Sequence, residues 1–222
     1  MIKKYIFLIL FSFIYSNSPV NNFIIGFWPE YDHPGVLVSI QVESNLNNLP
    51  FEFILDVPKN AKMVIETVID SLGRNNNVLN IESNNDSSYI STIINTQKYL
   101  LQYYFNPFEY DDYNRNIEYF LSANIDLVDF YIVIQKHLGA LEYQINLKNM
   151  ETIEDRYGIT YYRKKIDKLF SNDSLMINIK YQNPSNITTM EILNQEMEKS
   201  KIQNNVLMNN NITIDNKNIY YK

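Results

Sequence analysis

The chain has no cysteine among its 222 residues, and only five glycines, seven prolines and two histidines. Without cysteine there is no disulfide framework, no thiolate zinc site, no iron–sulfur centre and no covalent c-type haem attachment. No lipid can be attached to a cysteine after a leader segment. Scarce glycine leaves few residues that adopt a left-handed backbone without strain, so asparagine is predicted to fill many such turn positions. The formal net charge of -6 and the pI near 5.0 exclude the positive face that a general nucleic-acid binder needs. After residue 20 no apolar run approaches the roughly 20 residues of a membrane-spanning helix. The sequence also lacks G-x-S-x-G, H-E-x-x-H, P-loop and G-x-G-x-x-G motifs. His33 and His137 lie far apart in the chain. Any nucleophile would have to be Ser, Thr or a carboxylate. A hydrolase built on two carboxylates is the least favoured class, because no segment singles out such a pair.

What is present begins at the N-terminus. Lys3 and Lys4 precede an apolar run from Tyr5 to Tyr15, followed by the small polar residues Ser16-Asn17-Ser18. Basic, apolar and cleavable regions in that order predict a signal peptide over residues 1–18 and an exported mature chain. The abundance of Asn, Ile, Lys and Tyr fits AT-rich coding and a bacterial host, so the predicted address is periplasmic, extracellular or cell-surface. Four Asn-x-Ser/Thr sequons, at Asn85, Asn172, Asn186 and Asn211, carry no weight in so Asn-rich a chain.

Between about residues 23 and 182 the dominant period is two. Val36, Val38, Ile40 and Val42 alternate with more polar neighbours and form the first clear strand. Phe51 to Val57 repeats the pattern between Pro50 and Pro58. Further strands are predicted at Met63–Ile69, Val78–Ile81, Tyr89–Ile94, Tyr99–Phe105, Ile117–Leu121, Val128–Ile134, Leu141–Ile145, Gly158–Tyr162 and Leu175–Tyr181. Asn75-Asn76-Asn77 and residues 84–88 are predicted loops, and Tyr162 to Phe170 a helical turn or an irregular crossover. Short strands at regular spacing, with no long amphipathic helix among them, predict an all-β antiparallel sandwich over residues 19–183. Composition shifts at Gln182-Asn183-Pro184-Ser185. Residues 184–222 are expected to be an Asn-rich polar tail, poorly ordered apart from one short helix that Thr188–Lys201 could form, capped by Ser185 or Thr188.

Two segments concentrate chemistry. Trp28 to Gly35 holds the only Trp, two carboxylates and a His. Glu30, Asp32 and His33 could form a ligand or metal loop there, but the favoured expectation is that Trp28 and Tyr31 plug the end of the sandwich while Pro34 and Gly35 set the start of the next strand. Asn106 to Asn114 is acidic and aromatic. Its oxygen-rich side chains suit calcium in principle, yet the EF-hand spacing is absent and no metal or other cofactor is assigned. Tyr103, Tyr110, Asp111, Asp112 and Tyr113 are the candidate ligand-binding residues, with aromatic faces for sugar rings and carboxylates for their hydroxyls. No catalytic residue is assigned.

The segment Pro29-Glu30-Tyr31-Asp32-His33-Pro34-Gly35-Val36-Leu37-Val38 resembles the P-E-Y-D-x-P-x-V-L-V signature that opens the mature domain of a group of uncharacterised bacterial exported proteins. The resemblance continues through Leu101–Tyr104, Arg115–Tyr119, Ile134-Gln135, Ala140–Tyr143 and Tyr157–Tyr162, and ends near Tyr181. It implies an extracytoplasmic sandwich of immunoglobulin-like or carboxypeptidase-regulatory-like type, and it adds no catalytic residue. Export, a sandwich and a polar tail together predict a non-catalytic interaction or accessory module in a cell-envelope or extracellular assembly, with a protein partner. The alternative is a carbohydrate-binding module that uses the tyrosine patch to hold a glycan.

Overall fold

The computed structural model describes residues 18–70, 73–84, 87–109 and 113–202. The predicted signal peptide up to Asn17 and the chain beyond residue 202 lie outside the described residues. Fourteen strands occur among the described residues: β1 Val20–Pro29, β2 Val36–Ser44, β3 Phe51–Val57, β4 Lys62–Asp70, β5 Gly73–Val78, β6 Glu82–Ser83, β7 Ser88–Ile94, β8 Lys98–Phe105, β9 Asn114–Leu121, β10 Leu127–Gln135, β11 Leu141–Ile145, β12 Glu151–Glu154, β13 Thr160–Leu169 and β14 Leu175–Gln182. Among the described residues one α-helix, α1, covers 189–202.

The protein is an all-β sandwich. One layer is an eight-stranded sheet in the order β12-β13-β10-β1-β2-β8-β4-β5. Facing it are two three-stranded sheets, β11-β14-β9 and β3-β7-β6. Asn124 knits these two together: its side chain accepts from Ile54 N (2.8 Å) and donates to Glu52 O (3.1 Å), beside an isolated bridge between Leu55 and Ala123. Pairing is antiparallel throughout except that β1 lies parallel to β10, with Ile25 opposite Ile132.

Strand parity explains the core. On β9 the exposed residues Asn114, Asn116, Glu118 and Phe120 alternate with buried Arg115, Ile117, Tyr119 and Leu121. On β1 the inward residues Phe23, Ile25 and Phe27 meet the facing layer, where Phe23 lies edge-on to Phe53 (6.3 Å between centroids) and Phe27 to Tyr119 (4.9 Å). Such pairs add about 0.5–1.5 kcal/mol to the burial of the rings themselves.

Several expectations need correction. The strand β1 precedes the first strand predicted, because its buried run is not a clean alternation. Its Trp28 does not plug the end of the sandwich. The ring lies across Gly26 on the same strand, where an added Cβ would collide with it. The predicted loop Asn75–Asn77 is instead the middle of β5, paired with Glu66, Thr67 and Val68 on β4. Its amides find cross-strand partners: Thr67 Oγ1 donates to Asn76 Oδ1 (2.9 Å) and Asn77 Nδ2 to Glu66 Oε1 (2.9 Å). A polar edge strand of this kind protects the sheet from further pairing. Val78 ends that strand, so the predicted strand Val78–Ile81 is not formed. Tyr162 to Phe170 is no crossover, since β13 runs to Leu169 and pairs with both β10 and β12. Asparagine does take left-handed turns, at Asn149, Asn172 and Asn186.

Of the described residues after 183, those that open α1 are bonded to the sandwich. Thr188 caps α1, accepting at Oγ1 from Glu191 N (3.2 Å), while Glu191 Oε2 accepts from Thr188 N (2.6 Å). This reciprocal capping box satisfies two donors left bare at a helix start. Thr189 N then donates to Glu30 O (2.8 Å) and Met190 N to Tyr31 O (2.9 Å), so the first turn of α1 is bonded to the chain just after β1.

Candidate functional site

Of the five candidate ligand-binding residues, Tyr103 is a correction. Strand β8 turns it inward, it is fully buried, and its hydroxyl shares a hydrogen bond with that of Tyr119 (2.7 Å). Burial raises its pKa well above the ordinary tyrosine value, with Tyr119 adding to the effect. Its ring is core and offers no surface for a sugar. Tyr113 is half exposed (50%), and its carbonyl accepts from Asn183 N (2.8 Å). Tyr110, Asp111 and Asp112 lie outside the described residues. Glu30, Asp32 and His33 do not come together. Asp32 and His33 are exposed beside Tyr104, whose hydroxyl donates to the Asp32 carboxylate (2.9 Å), whereas Glu30 turns inward. Among the described residues no three His, Asp or Glu side chains are grouped to hold a metal ion.

The structure assembles a different site at the end of the sandwich, around Glu30. This residue holds a left-handed backbone (φ 43°), an uncommon choice for a residue with a side chain, and its N–H donates to Gly35 O (2.6 Å). The turn aims the carboxylate between the layers. Arg115 of β9 donates to Glu30 Oε1 from Nε (3.1 Å) and Nη2 (3.0 Å). Tyr181 of β14 donates its hydroxyl to Glu30 Oε2 (2.7 Å), as does Asn183 Nδ2 (3.0 Å). Only 6% of either charged side chain is exposed. Four donors on one buried carboxylate answer the desolvation penalty that an unpaired charge would carry.

The cluster extends to the segment that leads into α1. Arg115 Nη2 also donates to Asn186 Oδ1 (2.7 Å), and Asn183 Nδ2 reaches Ile187 O (3.2 Å). His137 is buried behind Tyr181, with their rings stacked at 5.9 Å. Its Nδ1 accepts from Gly139 N (3.2 Å), so its Nε2 carries the proton and donates to Ile187 O (3.0 Å). Burial lowers the His137 pKa against an opposing pull from Glu30. The Tyr181 hydroxyl is pushed well above its ordinary pKa, by burial first and by Glu30 second. What this arrangement does is fasten β1, β9, β14 and α1 at one point.

Of the concavities around it, two adjoin the Glu30–Tyr31 segment. One, of about 420 Å³, is lined by Glu30, Arg115 and Asn186 together with Pro34, Asn106 and Phe108, and Phe108 lies beneath the Arg115 guanidinium (5.0 Å). The other, of about 360 Å³, runs between α1 and the β12–β13 hairpin. Tyr31, Tyr157, Tyr161, Met190, Leu193 and Met197 supply most of its wall, and Asp155 is its one carboxylate. Asp155 Oδ1 accepts from Tyr157 N (2.8 Å) and Ile159 N (3.0 Å), while Oδ2 receives only a long bond from the Tyr161 hydroxyl (3.4 Å). Burial, and Asp155 after it, push the Tyr161 hydroxyl up to about 12.

Sequence reasoning passed over the Glu30 cluster, although one signal was present. Arg115 occupies a position whose parity matches Ile117, Tyr119 and Leu121, and a charge on an apolar face must find a buried partner. The groove had no comparable signal, because its walls come from three separated segments. No protein-family model matches the chain, and no curated protein is similar to it.

Proposed function

We propose that this chain is an exported, non-catalytic β-sandwich that serves as an interaction module in a bacterial cell-envelope or extracellular assembly, and that it docks a protein partner at the groove between α1 and the β12–β13 hairpin. The observation that carries the reading is the groove's rim. Tyr157 is 57% and Met197 51% exposed on either side of it. Large apolar side chains flanking a concavity mark interaction sites more often than bare surface. The Glu30 cluster supports the reading too, since it fastens the first turn of the helix that forms one wall. Export rests on Lys3-Lys4, the apolar run that follows and Ser16 to Ser18.

Photo-crosslinking in intact cells tests it. A photoreactive residue at position 197 should give one discrete protein adduct, and the same group at exposed Ile93, on strand β7, should not. No adduct at 197, or identical adducts at both positions, would rule the groove out as an interface.

A further inference from the structure

Asp155 is a half-buried carboxylate in a largely apolar groove, and it enters no ion pair among the described residues. One of its oxygens is taken by two backbone N–H groups, which fixes the carboxylate in place. The other has only the long Tyr161 contact, which leaves it able to accept a strong donor. Around it stand tyrosine rings, two methionines and a leucine. Methionine adapts its shape to aliphatic chains, and tyrosine faces attract cations. The chain supplies its own instance of the second effect at the rim: the Arg156 guanidinium lies 4.7 Å from the Tyr157 ring centre without pairing with Asp155. A concavity of about 360 Å³ is at the small end of the range for ligand sites, about right for one long side chain and its backbone. The occupant that satisfies both features has an apolar stem ending in a cation, and a net charge of -6 favours such a group.

We infer that the groove takes a lysine side chain of the protein partner, its four-carbon stem against Met190, Leu193 and Met197 and its ammonium on Asp155 Oδ2. This inference rests on the proposed docking function and names the chemistry recognised there. It is testable on the full chain with ¹³C-methyl methionine, because among the described residues Met190 and Met197 are the methionines that line the groove. The probes are two capped tripeptides, acetyl-Gly-Lys-Gly-amide and its norleucine counterpart, which has the stem without the charge. The lysine peptide should shift the Met190 and Met197 signals and bind roughly tenfold more tightly than the norleucine peptide. Asp155→Asn keeps an acceptor for the two N–H groups and should abolish that preference. Equal binding of the two peptides, or a lysine preference that survives in a folded Asp155→Asn, overturns the lysine assignment while leaving the docking reading to stand on its crosslink. Should Asp155→Asn not fold, the comparison of the two peptides on the unaltered chain decides alone. Failure of both peptides to move either methionine overturns the site.

Discussion

Tyr103 and Tyr181 are both buried tyrosines on inward strand positions, yet they hold the molecule together in different ways. Tyr103 lies in the apolar middle of the sandwich and bonds one neutral hydroxyl, that of Tyr119. Tyr181 lies at the end and bonds the Glu30 carboxylate, which Arg115 and Asn183 share. In the middle, stability is spread over many side chains, and loss of one contact is felt only locally. At the end, each member of the cluster is needed to keep a charge satisfied away from water. A neutral buried hydrogen bond contributes about 1 kcal/mol net, whereas removing one partner of a buried ion pair costs about 3–5 kcal/mol.

The largest effect should therefore follow from Arg115→Met, which strands Glu30 in the interior. Urea denaturation is expected to show a loss of about 3–5 kcal/mol. Combining it with Glu30→Gln should recover much of that loss, since no charge then remains buried. If the single change proves as mild as an ordinary surface substitution, the contrast between the two regions fails.

Next comes the capping box. Thr188→Ala should cost about 1 kcal/mol and weaken the start of α1, read as faster amide exchange at residues 189–191 with the strands unaffected. Loss of protection across the whole sandwich would mean that the helix and the Glu30 cluster stand or fall together.

The pH dependence distinguishes the regions without any substitution. Burial depresses the His137 pKa below its ordinary 6.5, so the unfolded chain binds a proton there that the folded chain refuses. Stability attributable to this group is therefore complete above pH 6.5 and declines as the pH falls below it, until the folded value is passed. The groups that face the ring are Glu30, Arg115, Tyr181, the Ile187 carbonyl and the Gly139 N–H. His137→Gln should flatten thermal stability over that acidic window. An unchanged slope would show that the ring titrates freely.

The smallest effect is expected in the middle. Tyr103→Phe removes one hydroxyl of a neutral pair and should lower stability by about 0.5–1.5 kcal/mol. A loss approaching that of Arg115→Met would erase the distinction between the middle and the end of the sandwich.

Much of the strand pattern was legible because side-chain parity is local. Val36–Val42, Phe51–Val57 and Ile117–Tyr119 each announce a strand through their own alternation. Asn75–Asn77 misled because its amides find partners only across the hairpin, on Thr67 and Glu66. Tyr103 misled for a related reason. Its sequence neighbours Tyr104 and Gln102 are less buried, and strand β8 alone decides which tyrosine of the pair turns inward.

The amino-acid sequence by itself determined the all-β class, the parity of most core positions and a short helix over Thr188–Lys201 with Ser185 or Thr188 as its cap. Each depends on residues a few positions apart, where backbone geometry imposes a period or a reciprocal bond. Only the tertiary structure decided that β1 lies parallel to β10, and that Glu30 meets an asparagine 153 residues further along the chain. Those outcomes depend on which sheet edges and layer ends pack together. That is a property of the whole buried interior, and no local segment encodes it.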